Sequence, residues 1–237
     1  MNNIKASRII RETRDIYNSI AEEWDTSRER PSGVKMKSLS LIKQGNRVLD
    51  LGCGNGFMAP YILERGALYE GLDISKNLIK IAKKKHQAEI KRKLVNFKVG
   101  TATKLPYADE SFEAVISFAV LHHIPSTTLR QKFFKEVARV LKSDGRGTVI
   151  VWNLLNDWTN KRFKTQEQLG KQDQGDVRVP WKATKGKVFS RYLYQFKKSE
   201  IMLLAKKAGL KNVRAEYFNR AGEKTVNGEE LVVTFKK

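Results

Sequence analysis

Three glycines in one short segment have the clearest potential for chemistry. Gly52, Gly54 and Gly56 lie in VLDLGCGNG, residues 48–56, between an apolar run that predicts a strand and a stretch that predicts a helix. Glycine loses more conformational entropy on folding than other residues, so this clustering predicts a bend where a ligand contacts bare main chain. A helix start adds unpaired N–H groups, as in nucleotide-binding pockets. The spacing GxGxG differs from the GxGxxG of dinucleotide-binding enzymes.

A carboxylate follows at the end of the next predicted strand. Asp73 closes the segment YEGLD, 17 residues beyond Gly56. At that position a carboxylate can accept hydrogen bonds from both hydroxyls of a ribose. The alternative is an N-cap for the following helix, a role for which Ser75 competes. The glycines and Asp73 together predict a pocket for a nucleoside-containing cofactor.

The alternation of apolar and polar segments predicts the elements that position these residues. Strands are predicted at 47–52, 68–73, 95–99, 112–120 and 147–153, with helices near 57–65, 75–85 and 128–142. This alternation is typical of a doubly wound parallel sheet covered by helices on both faces. Helices near 5–24 and 33–43 come first, and a helix near 197–208 and strands at 213–218 and 230–235 come last. We expect the last two strands to form an antiparallel hairpin at the sheet edge.

We expect one domain over residues 1–237, with N-terminal helices in 1–45 and a basic substrate-binding insertion at 154–195. Most of the insertion lacks a sustained period, so the sequence predicts irregular structure there. Loops of that length in a compact domain are usually functional or disordered. Residues 154–198 contain 11 Lys and Arg side chains against four acidic ones.

The charge balance predicts the class of partner. The chain has 46 Lys and Arg against 25 Asp and Glu, a net charge of +21. Such an excess favours a polyanion such as nucleic acid, with a generally basic, solvated surface as the alternative. No apolar run is long enough to span a membrane, and no secretory signal is evident, so we expect no membrane association. Cys53 is the only cysteine, which excludes an internal disulfide and fits a cytoplasmic protein.

Four motifs in this order identify a family resemblance. VLDLGCGNG, GLDIS, KLPYADESFEAVIS and EVARVLKSDGRGTVIV, within about 47–152, resemble the class I S-adenosylmethionine-dependent methyltransferases. The resemblance implies a seven-stranded, mostly parallel sheet whose last strand is antiparallel, and S-adenosylmethionine as the cofactor. It also implies that Gly52, Gly54 and Gly56 lie beneath the methionine part, with Asp50 near its ammonium and Asp73 on the ribose.

The resemblance extends to further cofactor contacts. It implies contributions from Tyr17, Cys53, Asn55, Ile74, Thr101, Ala102 and Ser117. Thr101 is a departure, because many family members have there an aspartate that binds the adenine amino group. A threonine carries no charge, so the sequence predicts weaker or differently shared adenine contacts. No metal site is expected.

The flanking segments resemble one subgroup of this family. YNSIAEEWDTSRERP (17–31), AVLHHI (119–124), DVRVPW (176–181) and RYLYQF (191–196) are similar to segments of methyltransferases that esterify 5-carboxymethyluridine at the tRNA wobble position. The resemblance therefore implies binding of a tRNA anticodon loop. Two features depart from the subgroup: Tyr194 stands where histidine is usual, and the C-terminal segment lacks its Asn-Trp-Tyr/Trp signature.

The chemistry of that reaction directs attention to arginines. A carboxylate is already a nucleophile at neutral pH, so no general base is expected, and alignment supplies most of the rate gain. Holding the carboxylate needs a cation, for which Arg28, Arg30 and Arg191 are predicted, although each could equally be a solvated surface arginine. Substrate or RNA contacts are predicted for His122, His123, Trp181, Lys182, Lys185, Lys187 and Tyr192. Trp158 and Trp181 could stack on a flipped base, or simply pack; Trp152 is predicted to be core.

A protein partner is also implied. The tRNA methyltransferases that this chain resembles commonly work with a small zinc-binding activator subunit that docks on an edge strand, here predicted at Val95–Val99. We therefore expect a heterodimer; the alternative is an ordinary edge strand that packs only on its own helices. Two other functions stay open: a small-molecule or quinone-type methyltransferase, and an RNA-binding protein with a vestigial cofactor pocket.

Overall fold

The computed structural model describes residues 1–27, 30–164, 168, 175–183 and 186–237. Its strands are β1 (Arg47–Leu51), β2 (Leu68–Asp73), β3 (Val95–Val99), β4 (Phe112–Phe118), β5 (Leu141–Trp152), β6 (Asp176–Lys182), β7 (Val188–Tyr194), β8 (Lys211–Phe218), β9 (Lys224–Thr225) and β10 (Glu230–Lys236). Eight of them form one sheet in the order β3-β2-β1-β4-β5-β10-β8-β9, and β6 and β7 form a separate two-stranded sheet.

Strand directions confirm the predicted fold class. Strands β1 to β5 are mutually parallel, and β10 is antiparallel to both of its neighbours, β5 and β8. The predicted antiparallel pairing of the two C-terminal strands is confirmed, because β8 pairs with β10 at one end of the sheet, where only the two-residue β9 lies outside them. Leu231, Val232 and Val233 of β10 are consecutive and all buried, as expected for a strand covered on both faces.

The helices are α1 (Asn3–Ser19), α2 (Ala21–Thr26), α3 (Gly33–Ser38), α4 (Ala59–Leu63), α5 (Lys76–Lys85), α6 (Gln87–Lys91), α7 (Thr127–Val140), α8 (Asp157–Phe163) and α9 (Lys198–Lys207). Ser75 is the N-cap of α5, because its side chain accepts a hydrogen bond from the Leu78 N–H. Within the described residues, no helix combines the length and the apolar character needed to cross a bilayer.

Two hydrophobic clusters cover the two faces of the large sheet. On β1, Leu49 and Leu51 belong to the cluster that includes α7 and α9, whereas Val48 belongs to the cluster that includes α5. This alternation follows from the two-residue period of a strand. Asp50 shares the face of Val48, and it is nevertheless buried at the carboxyl end of β1. The core therefore places a carboxylate where parallel sheets bind ligands.

The irregular structure predicted for most of the insertion is wrong. Its described residues form α8 and the antiparallel pair β6 and β7. Val177 and Val179 alternate along β6 and pack with Leu154 and Leu193 in a small cluster of their own. Pro180 makes this strand hard to recognise from the sequence, because proline donates no hydrogen bond to a neighbouring strand and is tolerated chiefly at sheet edges. In a two-stranded sheet both strands are edge strands.

Candidate functional site

A cavity of about 440 Å³ opens at the carboxyl ends of the parallel strands. One part is lined by predicted cofactor residues: Tyr17, Asp50, Gly52, Gly54, Asp73, Ile74, Thr101 and Ala102. The other part is lined by Arg30, Lys35, His123, Trp152, Arg191, Arg220 and Glu230. The sheet order explains this division, because β2 and β1 end beside the first set whereas β5 ends, and β10 begins, beside the second.

The glycine loop is fixed by backbone geometry and by its neighbours. Gly52, Gly54 and Gly56 have φ angles of 77°, 56° and 74°, values that side-chain-bearing residues rarely adopt. A Cβ on Gly54 would lie 2.7 Å from the Trp24 ring, and one on Gly56 would lie 2.6 Å from the Phe97 ring. Gly52 and Gly54 line the cavity, whereas Gly56 faces the core. The loop therefore needs its glycines for packing as well as for an open backbone.

Asp73 connects the glycine loop to the start of α5. Its carboxylate accepts hydrogen bonds from the Gly54 N–H at 3.0 Å and from the Ser75 N–H at 2.7 Å. Burial raises the pKa of Asp73, while the backbone hydrogen bonds from Ser75, Gly54 and Ile74 oppose that rise. The carboxylate also lines the cavity, at the end of β2. Its two backbone hydrogen bonds thus hold the Asp73 carboxylate where it could also accept hydrogen bonds from ribose hydroxyl groups.

Asp50 is a buried carboxylate held by a single hydroxyl. The Tyr69 hydroxyl donates to it at 2.7 Å. Burial raises the pKa of Asp50 to about 7, the Tyr69 hydrogen bond opposes the rise, and the charge of Asp73 adds to it. A cation placed against Asp50 would favour its ionised form. The position suits the ammonium group of an amino-acid ligand.

The wall near Thr101 is uncharged. Thr101, Ala102, Ile74 and Leu78 line the cavity there. The Thr101 hydroxyl lies 3.0 Å from the hydroxyl of Thr103, so these two side chains share a hydrogen bond. This wall offers an adenine ring an apolar slot and a neutral hydroxyl, and no carboxylate.

Two adjacent histidines are both neutral. Burial lowers the pKa of His123 to about 3, and the Arg191 charge contributes. Its Nδ1–H donates to the Tyr192 carbonyl at 2.9 Å, since a carbonyl only accepts, and its Nε2 accepts from the Tyr17 hydroxyl at 2.9 Å. His123 lines the cavity.

His122 is fully buried behind His123, and burial lowers its pKa well below the usual range. Its Nδ1 accepts from the Trp152 N–H at 3.1 Å, so Nε2 carries the hydrogen. Among the described residues this Nε2–H has no acceptor. Both histidine lone pairs are therefore occupied, and neither ring is available as a general base.

Arg191 is a buried cation between two indoles. It is 5% exposed, and its guanidinium carbon lies 5.6 Å from the Trp152 ring centroid and 4.8 Å from that of Trp181. No carboxylate of the described residues forms an ion pair with it, and its Nε has no acceptor among them. A buried charge without a partner costs several kcal/mol, so this one is expected to meet an anion in the cavity.

The structure brings only some of the remaining predicted residues to the cavity. Arg30 lines it as an exposed side chain. Trp181 contacts Arg191 from outside the lining, with its indole N–H buried and without an acceptor in the described chain. Tyr192 is buried and its hydroxyl donates to Asp176 at 2.7 Å. Lys182 and Lys187 are exposed at the adjoining ends of β6 and β7. Arg28 and Lys185 lie outside the described residues.

Four predicted cofactor residues lie beside the loop, not in the cavity wall. Cys53 and Gly56 face the core, and the Ser117 hydroxyl donates to the Leu51 carbonyl at 3.0 Å. The Asn55 amide donates to Asp25 and its side-chain oxygen accepts from the Phe57 N–H. In the structure these four residues therefore pack against the core or hydrogen-bond to neighbouring residues, and none of them lines the cavity.

Several residues that line the cavity were not predicted from the sequence: Trp24, Lys35, Phe57, Trp152, Arg220 and Glu230. Trp152 was predicted to be core, but it is half-buried and lines the cavity. Glu230 is buried at the start of β10, and burial raises its pKa while Lys35 and Arg220 oppose the rise. The register pairs Glu230 with Trp152, a contact that only the antiparallel insertion of β10 creates. Within the described chain, no cluster of His, Cys, Asp and Glu could hold a metal ion.

Comparisons with known proteins fit this geometry. Residues 49–149 match a family model described as a methyltransferase domain. A tRNA (carboxymethyluridine(34)-5-O)-methyltransferase of Arabidopsis thaliana is 34% identical over 161 residues, which are 65% of this chain and 37% of that protein. Methyltransferase GfsG of Streptomyces halstedii is 32% identical over 120 residues, which are 49% of this chain and 42% of that protein. The matches thus span about two fifths of these relatives.

Among solved structures, a methyltransferase in complex with the Haloferax volcanii Trm112 methyltransferase activator has the same fold. The TM-score is 0.69 at 18% identity, covering 94% of this chain and 96% of that one. The domain match supports S-adenosylmethionine as the cofactor. Residues 49–149 are therefore a methyltransferase domain, and the chain resembles the class I S-adenosylmethionine-dependent methyltransferases.

Proposed function

We propose that this chain is a tRNA methyltransferase that esterifies the carboxylate of 5-carboxymethyluridine at the anticodon wobble position. The observation that carries the proposal is Arg191, a buried cavity arginine with no carboxylate partner in the described chain. Guanidinium and carboxylate groups match as planar, bidentate partners. A substrate carboxylate would supply the missing charge.

The surroundings of Arg191 support an anion at this position. His122 Nε2, Trp181 Nε1 and Arg191 Nε are all buried N–H donors without an acceptor in the described chain. The three side chains form one cluster, because His122 and Arg191 lie 5.3 Å and 5.6 Å from the Trp152 ring and Arg191 lies 4.8 Å from the Trp181 ring. Buried donors are rarely left unsatisfied in folded proteins. Of the three donors only Arg191 lines the cavity, so it is the one that a substrate carboxylate would meet directly.

In this proposal the cofactor lies against the glycine loop. Asp73 accepts hydrogen bonds from its ribose, Asp50 faces its ammonium group, and Tyr17 on α1 covers it. S-adenosylmethionine, when bound, supplies a methyl group attached to a positively charged sulfur. The residues of this chain need only align the substrate carboxylate with that methyl group, and such alignment is worth about 7–11 kcal/mol in favourable cases. The neutral, fully hydrogen-bonded His123 is consistent with a reaction that needs no base.

Charge around the cavity mouth supports an RNA substrate over a small acid. Arg30 and Arg220 are exposed lining residues, and Lys35 lies close by. Lys35 acts electrostatically on both Asp50 and Glu230, so the exposed rim charges that remain are those of Arg30 and Arg220. Phosphate groups that flank a flipped nucleotide would be attracted to such a rim.

The decisive experiment is methyl transfer to tRNA rich in 5-carboxymethyluridine, using cofactor labelled on the methyl group. Mass spectrometry of the nucleosides should show the methyl ester, and mild alkali should release the label, since esters hydrolyse under those conditions. Label on another nucleoside, alkali-stable label, or no transfer would contradict the proposal. If calorimetry also detected no cofactor binding, an RNA-binding protein with a vestigial pocket would replace it.

A small-molecule methyltransferase is the second candidate, favoured by the match to GfsG. The same assay with free carboxylic acids and small phenols as acceptors tests it. Transfer to these compounds without transfer to tRNA would support this candidate.

We also propose an activator subunit as a partner of this chain, on edge strand β3. The Haloferax volcanii methyltransferase of the same fold is found in complex with such an activator. Strand β3 pairs only with β2 within the described sheet, so its outer edge is open to a strand from another chain.

A further inference from the structure

One tryptophan of the insertion is exposed beside the cavity. Trp158 lies in α8 and is 50% exposed, whereas Trp24, Trp152 and Trp181 are all half-buried. Its ring offers a large apolar and aromatic surface to solvent at this position.

The position of Trp158 is fixed relative to the large sheet. Asn156 caps α8 by accepting from the Trp158 N–H at 3.0 Å, and its amide donates to the Asn227 carbonyl at 2.7 Å. The Asn153 amide, just after β5, donates to the Asn227 side chain at 2.7 Å. These bonds tie the start of α8 to the loop before β10. The indole is therefore presented by a braced element at the carboxyl edge of the sheet.

Two arginines approach the indole, and one of them connects it to the cavity. The guanidinium carbons of Arg162 and Arg220 lie 5.0 Å and 5.7 Å from the Trp158 ring centroid. Arg220 also lines the cavity, while Trp158 and Arg162 do not. Neither arginine forms an ion pair with a carboxylate of the described residues. An exposed aromatic ring flanked by two arginines, neither of them ion-paired within the described residues, thus stands next to the cavity-lining Arg220.

We propose that Trp158, with Arg162 and Arg220, is a stacking platform for an unpaired RNA base next to the nucleotide that enters the cavity. Single-stranded nucleic acids are bound by stacking bases on aromatic side chains while arginines contact the backbone, and this platform offers both features. The net charge of +21 complements such a ligand. The inference rests on the proposed RNA substrate and adds a second contact site to it.

The test compares two fluorescently labelled RNAs: a hairpin with a loop of anticodon-loop length, and a blunt duplex of similar charge. Affinities are measured by fluorescence anisotropy for the wild-type chain and for Trp158→Ala, Trp158→Phe and Leu155→Ala. Leu155 is the matched control, because it is an exposed apolar neighbour without an aromatic ring. Trp158→Ala should weaken hairpin binding about tenfold, in the range expected for one stacked base. Trp158→Phe should recover most of this loss, and Leu155→Ala should bind normally.

Affinity for the duplex and for the cofactor should be unchanged in the Trp158 and Leu155 variants, since neither residue lines the cavity. The dependence of hairpin affinity on salt should keep its slope in Trp158→Ala and become shallower in Arg162→Gln, because only the arginine displaces counterions. If Trp158→Ala and the wild-type chain bind the hairpin with equal affinity, the platform is overturned. It is also overturned if Trp158→Ala loses as much affinity for the duplex as for the hairpin.

This outcome is separable from failure of the proposed function. A chain that binds the hairpin through Trp158 but transfers no methyl group to tRNA would keep the platform and lose the esterification. A chain that esterifies tRNA equally well with and without Trp158 would keep the esterification and lose the platform. Absence of any RNA binding by the wild-type chain would overturn both.

Discussion

Buried charges dominate the cavity at the scale of single residues. Asp50 and Asp73 lie at one end, and Arg191 lies at the other. Asp73 and Asp50 are partly compensated by hydrogen bonds, whereas Arg191 has no ion-pair partner among the described residues and is the most costly of the three to bury. Charged ligands of the opposite sign at each end are therefore favoured by the residues themselves.

The raised pKa of Asp50 predicts that cofactor binding depends on pH. A cationic ligand needs the ionised carboxylate, so below about pH 7 protons compete and affinity should fall up to about tenfold per pH unit. Calorimetric titrations between about pH 6 and pH 8 measure this trend, and Asp50→Asn should weaken binding at the upper end and remove most of the slope. An unchanged slope in Asp50→Asn would assign the titration to another group or to the ligand.

The same pKa shift has the opposite effect on the stability of the free protein. The Asp50 carboxyl is protonated more readily in the folded chain than in the unfolded chain. Between the two pKa values the folded state binds more protons, so the contribution of Asp50 to the free energy of unfolding falls as pH rises toward 7. Cofactor affinity and the stability of the free protein should therefore respond to pH in opposite directions.

Arg191→Met should separate function from stability. Removing a buried charge that has no carboxylate partner among the described residues is expected to leave the melting temperature unchanged or to raise it. Loss of hydrogen bonds to a charged substrate should lower kcat/KM for tRNA by about ten- to hundredfold. Thermal unfolding and methyl transfer measure the two effects. A lower melting temperature with normal kcat/KM would show that Arg191 is structural.

The cavity residues that the sequence predicts best are close together in the chain. Gly52, Gly54 and Asp73 belong to one strand–loop–helix–strand unit, so spacing alone places them at one end of the sheet. Glu230 and Trp152 meet only because β10 inserts antiparallel next to β5. No local periodicity encodes that pairing. Arg191 was predicted from a resemblance, while its isolation from carboxylates is visible only in three dimensions.

The insertion is the element that the sequence predicts least well. Strands β6 and β7 pair with each other and not with the large sheet, and Pro180 interrupts the apolar alternation. Their position is set by long-range contacts with α1: Arg178 forms an ion pair with Glu12 at 3.1 Å. A second connection runs from Tyr17 through His123 to the Tyr192 carbonyl. The helix over the cofactor part of the cavity is thus bound to the hairpin that carries Arg191.

The choice of test residue on edge strand β3 depends on burial. Phe97→Glu is unsuitable for breaking a complex, because Phe97 is 1% exposed and packs against Tyr69 and His86. That change would bury a charge and unfold the chain. Val99 on the same strand is 54% exposed and accessible to a partner.

Val99→Asp should therefore weaken binding of a small activator subunit without changing cofactor affinity. Co-purification and gel filtration with the subunit measure the effect. Leu203→Asp is the matched control, because Leu203 is similarly exposed but lies on α9. Equal loss of the complex in both variants, or in neither, would contradict docking on β3.

At the scale of the whole molecule, the net charge of +21 follows from the composition. Where the charged side chains lie on the surface can be seen only in the fold. Lys182 and Lys187 lie where β6 ends and β7 begins. This end of the β6–β7 hairpin precedes Arg191 and Tyr192 on β7. On α9, a separate exposed pair is formed by Lys206 and Lys207. Reversing either pair changes the net charge by the same amount, so the two double variants distinguish a local contact from a general electrostatic field.

If the hairpin end contacts RNA phosphates, Lys182→Glu with Lys187→Glu should make the salt dependence of tRNA affinity shallower. Each lost phosphate contact reduces the log–log slope by about 0.7–0.9, so two should reduce it by about 1.4–1.8. Lys206→Glu with Lys207→Glu should lower affinity only through the weaker, screened field and leave the slope nearly unchanged. Cofactor affinity should be constant throughout, because none of the four lysines lines the cavity. Equal salt-dependence slopes in the two double variants would contradict an RNA contact at the hairpin end. The cavity rim formed by Arg30 and Arg220 would then be the remaining candidate for phosphate contacts.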